Sequence, residues 1–185
     1  MIEEELASAE EKMKKAVEAT KEAFSSIRSG RANPALLERV KVEYYGTEMQ
    51  LNQLAQISAP EARLLLVSPY DKGSIAAIEK ALMTSDLGLT PSNDGTVIRV
   101  PIPPLTEERR QELVRVVHAR AEEGRVAIRN VRRHTKEHLE AAKKQGDLAE
   151  DDLKRAEKKL QELTDKYVAE IDSMLSRKEQ ELMEV

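Results

Sequence analysis

The sequence predicts an α+β protein in which a long antiparallel three-helix bundle carries an inserted small β/α/β domain. Three observations predict it. Apolar residues recur at helical spacing over residues 2–29, over Thr106 to about Gln145, and again from there to the C-terminus. Between the first two stretches the apolar period shortens to two, as strands require. The chain is also 35% charged and only 3% aromatic, which suits long amphipathic helices better than a sandwich or barrel.

The first helix is predicted over 2–29. Leu6, Met13, Thr20 and Ile27 form one column and Ile2, Ala9, Ala16 and Ala23 another, with Val17 and Phe24 widening the stripe. Gly30-Arg31-Ala32-Asn33-Pro34 stops it, because Gly suits the position after a helix and Pro cannot continue one.

Val40, Val42 and Tyr44 then alternate with Lys41 and Glu43, predicting a strand. Tyr45-Gly46-Thr47 turns the chain, and Met49 and Leu51 begin the return strand. Short strands are expected at Ile57–Pro60 and Leu64–Val67, the second buried on both faces. A helix follows from Ser74, its N-cap, to about Ser85. Leu87–Leu89 and Thr96–Val100 read as two more strands around the Pro91–Gly95 turn.

Pro101-Ile102-Pro103-Pro104 reads as a stiff extended connector. Thr106 caps the second long helix, with Glu107 and Glu108 against its positive end. Val114, Ala121, Ile128 and Thr135 form one apolar column, and Val117, Gly124, Val131 and His138 the other. Gln145-Gly146-Asp147 makes a tight turn, with Asp147 and Glu150 as a capping box. Leu153, Leu160, Tyr167 and Met174, joined by Ala156, Leu163, Ile171, Leu175 and Leu182, give the last helix its face. Each long helix must bury its stripe, and three such helices satisfy one another in a bundle. The bundle is therefore assigned to 1–30 and 105–185, and the inserted domain to 31–104. Two short linkers join them, with Gly30, Pro34, Pro101, Pro103 and Pro104 as hinge residues.

The formal net charge is −4, but it is unevenly spread. Residues 105–145 carry 11 basic and 7 acidic side chains, whereas residues 146–185 carry 7 and 12. Local field steers a polyanion more than total charge does. At about 100° per residue, His118, Arg125, Arg129, Arg132 and Lys136 fall on one flank of the helix, beside its apolar stripe, while Arg133 falls further round. Arginine dominates this flank, and its planar fork fits phosphate. With so few aromatics to stack on bases, contact with the shape and phosphates of structured RNA is the expected mode.

Other chemistries are thinly represented. His134-Thr135-Lys136-Glu137-His138 fits the order of inverted zinc proteases, but no third ligand is identifiable and His138 sits on the core column. No phosphate loop or nucleophile elbow occurs, so neither an enzyme nor a cofactor is expected. Cysteine is absent, which rules out a disulfide framework. The acidic start lacks the apolar core of a secretory signal, and no apolar run is long enough to span a membrane; a soluble cytoplasmic protein is expected. A helical scaffold whose basic flank pairs with an acidic protein is the alternative to RNA binding.

Several motifs together resemble the bacterial ribosome recycling factor family. They are Ile27 to Pro34 (IRSGRANP), Val42 to Thr47 (VEYYGT), Ser85 to Leu89 (SDLGL), Ile98 to Arg110 (IRVPIPPLTEERR) and Arg129 to Arg133 (RNVRR). The likeness spans the whole chain, and the Pro-rich block running into Thr106 is its most specific part. The resemblance implies an L-shaped, two-domain, non-enzymatic factor, expected to act as a monomer. Such a factor binds the post-termination ribosome in the intersubunit space. With elongation factor G and GTP it splits the subunits and frees mRNA and tRNA. It further implies that Arg129 and Arg132 contact large-subunit ribosomal RNA near the peptidyl-transferase region. Arg133, Arg28, Arg31, Arg109 and Arg110 are carried over more weakly by their motifs, and Arg125 and Lys136 join through their place on the flank. The smaller domain is expected to face elongation factor G. Gly124 in mid-helix and His134 after the arginine run stand out from this pattern.

Overall fold

The computed structural model describes residues 1–184 and divides into two compact units. One comprises Met1–Arg28 and the chain from Glu107 onward, and the other Ser29–Thr106. In chain order the elements are α1 (Ile2–Ser25), β1 (Lys41–Tyr44), β2 (Thr47–Gln50), α2 (Leu51–Leu54), β3 (Ala55–Glu61), β4 (Leu64–Pro69), α3 (Ile75–Thr84), β5 (Ser92–Asn93), β6 (Ile98–Pro101), α4 (Glu107–Lys144) and α5 (Glu150–Met183).

In the first unit α1, α4 and α5 all pack on one another. Contacts between His138 and Glu5 and between Gly124 and Thr20 make α1 antiparallel to α4, and those of Arg125 with Asp172 and Lys143 with Glu150 do the same for α5. Their stripes meet in a core containing Met13, Val117, Ala121, Ile128, Leu160 and Ile171. Helix α1 ends at Ser25, four residues before its expected limit. The Ser25 and Ser26 hydroxyls donate to the carbonyls of Glu22 and Ala23, each at 2.7 Å, and such local bonds compete with helix continuation.

The stripe of α4 is Leu113, Val117, Ala121, Gly124, Ile128, Thr135 and Leu139. Three expected core positions move, Val131 being half-buried like Val114. Val114 is only half-buried, and His138, far from facing the core, has a side chain 68% exposed with Nδ1 3.6 Å from Glu5. A strict seven-residue column drifts about 20° per heptad on a straight helix. Over three heptads that carries His138 off the face and brings Leu139 onto it.

Gly124 sits where side chains of α1 and α5 both press on α4. A Cβ there would overlap Thr20 Oγ1 and lie 2.8 Å from Ile171 Cδ1. The buried Thr20 and Thr164 hydroxyls donate within their own helices, to Ala16 O at 2.9 Å and Leu160 O at 2.8 Å, so the core holds no orphan at either. Helix α4 ends in a Schellman turn: with Gly146 at φ 82°, its N–H donates to Lys143 O and that of Asp147 to Ala142 O, both at 3.0 Å. The capping box does not form. Helix α5 starts from Ala149 as N-cap with no side-chain cap bond, and its three leading acids, Glu150, Asp151 and Asp152, complement the helix dipole instead.

The second unit is built on an antiparallel sheet ordered β3-β4-β6-β5, plus the separate β1–β2 hairpin. Leu65 and Val67 of β4 and Ile98 and Val100 of β6 point into a core closed by Ile78 and Leu82 of α3 and Val42 of β1. Leu64 and Leu66 are half-buried, so β4 buries one face and not both. Leu51 begins the one-turn helix α2 instead of extending β2. Leu87–Leu89 is not a strand, and the edge is supplied by the two-residue β5. Ser74 precedes α3 but its hydroxyl donates backward to Asp71 O at 2.6 Å; Asp71 accepts from Gly73 N–H at 3.0 Å and caps the turn.

The five expected hinge residues all lie in this unit. Gly30 has φ 75° and its Cα hydrogen faces Leu105, where a Cβ would stand 2.9 Å from Cγ. Pro34 opens a single 3-10 turn capped by Asn33. Pro101 pairs with Leu64 as the last residue of β6, and Ile102 is buried with its N–H on Arg63 O at 2.7 Å. Of the expected connector, only Pro103 and Pro104 lie beyond these sheet contacts.

Candidate nucleic-acid interface

Helix α4 has no internal Pro, and its single internal Gly sits in the core; it is therefore an uninterrupted carrier for side chains on its outer flank. Arg129, Arg132, Arg133 and Lys136 stand at spacings of three and four, so they share about 100° of helix surface over two turns. Arg129 and Arg133 are exposed, while Arg132 and Lys136 are half-buried along the helix. A half-buried Arg lays its methylenes on the apolar border and keeps its fork for solvent or a ligand.

Ion pairing divides the flank. Arg125 is held, its side chain only 18% exposed, with Nε 2.8 Å and Nη2 2.7 Å from Asp172 of α5 and Nη1 2.9 Å from Glu122. Burial opposes its charge, but the hydrogen bonds it donates to Asp172 and Glu122 outweigh that and raise its pKa. His118 is likewise engaged with Glu179 of α5. Arg129 has a single distant contact, Nη1 to Glu122 at 3.5 Å, and Lys136 reaches Glu140 at 4.0 Å. Among the described residues no salt bridge engages Arg132 or Arg133. Exposed pairs as long as those of Arg129 and Lys136 contribute little and exchange readily for phosphate. The open basic surface is therefore Arg129, Arg132, Arg133 and Lys136, and Arg125 is a clamp between α4 and α5.

This division sets a prediction. Arg125→Ala should lower bundle stability by about 0.5–1 kcal/mol, a partly exposed ion pair's worth, with affinity for structured RNA within twofold of wild type. Denaturant unfolding beside a binding titration reads both, and a large affinity loss at unchanged stability would reassign Arg125 to the interface.

The other predicted arginines are not brought to this cluster. Arg109 and Arg110 lie on α4 some 22 residues before Arg132, which is about 33 Å of helix axis. Arg109 pairs with Glu112 at 2.7 Å and Arg110 with Glu107 at 3.4 Å, and the buried Nε of Arg110 has no hydrogen-bond partner. Arg28 is exposed beyond the end of α1, and Arg31 is exposed in the second unit. His134 and His138 contact Glu137 at 3.8 Å and Glu5 at 3.6 Å, respectively. Among the described residues no group of three or more His, Asp or Glu is placed to hold a metal ion. No helix among them is long and apolar enough to cross a membrane.

Comparison with known proteins finds relatives along the whole chain. Residues 20–183 match the family model described as ribosome recycling factor. Over all 185 residues of both chains, the sequence is 58% identical to the ribosome-recycling factor of Acidothermus cellulolyticus and 56% identical to that of Halalkalibacterium halodurans. A solution structure of a ribosome recycling factor aligns with 47% identity and a TM-score of 0.76, covering 100% of this chain and 98% of its own. A second solved chain is described as the T. thermophilus ribosome recycling factor with E. coli elongation factor G, bound to the E. coli post-termination complex. It covers both chains fully at 47% identity and a TM-score of 0.65. With the family model spanning most of the chain and relatives this similar from end to end, the chain belongs to the ribosome recycling factor family.

Proposed function

We propose that the protein binds the post-termination ribosome and, with elongation factor G and GTP, splits its subunits and releases mRNA and tRNA. What carries this reading is a full-length neighbour bound with elongation factor G to that complex, joined to an open arginine cluster on α4. Arg129, Arg132, Arg133 and Lys136 dock on large-subunit ribosomal RNA near the peptidyl-transferase region. Forked guanidiniums meet phosphate oxygens there, while the acidic α5 behind them discourages the polyanion from other faces. Arg28, Arg31, Arg109 and Arg110 contribute nearer the linkers. The unit from Ser29 to Thr106 moves about Gly30, Pro34, Pro101, Pro103 and Pro104 and faces elongation factor G. Only rigid-body displacement and binding are asked of this chain; GTP hydrolysis belongs to the partner. A monomer working in the cytoplasm suffices.

Polysome breakdown tests this. Purified protein with elongation factor G and GTP should convert puromycin-treated polysomes to monosomes and subunits, and omission of either factor should abolish it. Equal breakdown without this protein would overturn the reading. Ribosome co-sedimentation that survives nuclease removal of exposed RNA but fails after competition with acidic protein would favour an adaptor with a protein partner.

A further inference from the structure

A carboxylate stands inside the basic flank of α4. At about 100° per residue, Glu122 falls between Arg129 and Arg133 around the helix, within about 20° of each. Glu140 lies on the same line about five turns further on. The four open cations therefore sit between two carboxylates. A phosphate backbone that simply followed the helix would meet a like charge at either end of the patch.

The two oxygens of Glu122 are held differently. Oε2 accepts from Arg125 Nη1 at 2.9 Å, and Arg125 is in turn fixed to Asp172 of α5. Oε1 has, among the described residues, only Arg129 Nη1 at 3.5 Å. One oxygen is anchored through α5 and the other is weakly held. The side chain is 55% exposed, within reach of a ligand on the flank. A phosphate that takes Arg129 removes the contact to Oε1, and RNA seated on Arg129 and Arg133 covers it. A covered carboxylate oxygen without a hydrogen-bond partner is costly. Phosphate diesters only accept hydrogen bonds, so they cannot supply one. The donors RNA does carry are its ribose 2′-hydroxyls and the N–H groups of its bases.

We propose that Glu122 is a specificity-determining residue of the α4 interface, its Oε1 accepting a hydrogen bond from a ribose hydroxyl or base N–H of the docked RNA. This rests on the ribosome reading above and deepens it. The flank takes a phosphate on Arg129 and a donor group on Glu122 at the same time. Folded RNA that turns a donor edge toward the helix satisfies both, whereas a bare phosphate track is repelled at Glu122.

Two variants of the full-length protein test this, each titrated with ribosomes and with inorganic polyphosphate, whose chain phosphates offer no donor. Glu122→Ala should weaken ribosome binding roughly tenfold, the worth of one charge-assisted hydrogen bond. The same variant should tighten polyphosphate binding by roughly twofold or more, since a like charge and an exposed competitor for Arg129 are gone. Glu122→Gln keeps an acceptor without the charge, so it should tighten polyphosphate binding equally and recover part of the ribosome affinity. Dimethyl sulfate and kethoxal on the bound ribosome then name the donor. A base protection lost in Glu122→Ala assigns a base N–H, and an unchanged pattern beside the weaker binding assigns a ribose hydroxyl. Both affinities rising by the same factor would make Glu122 a plain counter-ion. Both falling together with the thermal midpoint would make it structural, and unchanged ribosome affinity would remove it from the interface. Each of these three results overturns the proposal. Wild-type protein that fails to bind ribosomes would instead overturn the ribosome reading.

Discussion

Replacing Arg129 and Arg132 together by Ala should weaken ribosome binding by roughly a hundredfold or more, with the fold intact. Hydrogen bonds to charged groups are worth about 1.5–3 kcal/mol each, and about 1.4 kcal/mol is a factor of ten. Stability should move little, because among the described residues Arg132 has no salt bridge to lose and Arg129 gives up only a 3.5 Å contact with Glu122. If both contacts are to phosphate, the dependence of log affinity on log salt should flatten, by roughly 0.7–0.9 for each contact removed. Arg129→Lys with Arg132→Lys restores charge without the planar fork and should recover only part of the loss. Affinity and salt slope are read by titrating ribosomes with labelled protein at several salt concentrations. An unchanged affinity at every salt would move the interface elsewhere.

Gly124→Ala should destabilise the protein although it improves helix propensity. Gly to Ala in a free helix gains about 1 kcal/mol. Here the added methyl runs into Thr20 Oγ1, itself tied to Ala16 O, and into Ile171 Cδ1. Overpacking a tight core costs about 1–3 kcal/mol, so the net loss is on the order of 1 kcal/mol after the propensity gain. Thr20→Ala removes the worse overlap, and in that background Gly124→Ala should become neutral or stabilising. The double-mutant cycle, measured by denaturant unfolding, therefore has a coupling energy of about 1 kcal/mol or more with a sign that favours the pair. Additive effects would mean the helices are not in close contact at this point.

Gly124 also marks where the sequence stops being legible. Its mid-helix position reads as a propensity cost, but the reason for it is a side chain more than a hundred residues earlier, which no local pattern reveals. The long helices were readable because each carries its stripe within itself. Their exact columns were not, since a strict seven-residue period drifts around a straight helix and put His138 inside in place of Leu139. Local competition decided the edges: Ser25 and Ser26 ended α1 early, and Ala149 replaced Asp147 at the start of α5. In the smaller unit Leu87–Leu89 has strand-like residues yet pairs with nothing, because pairing depends on neighbours supplied by β4 and β6. The basic flank followed from angle and charge alone. That Arg125 is occupied did not, because Asp172 lies on another helix and only packing brings the two together.

The chain has no cysteine, so a single introduced one can carry a hydroxyl-radical probe to one chosen face of the bundle. Glu140→Cys puts the probe on the arginine flank of α4, and Lys158→Cys puts it on the outer face of α5. With the labelled full-length protein bound to ribosomes, the probe at 140 should cleave large-subunit ribosomal RNA near the peptidyl-transferase region, while the probe at 158 should give weaker cleavage there. Cleavage from 158 as strong as from 140, or none from 140 in a bound complex, would contradict docking through Arg129, Arg132, Arg133 and Lys136.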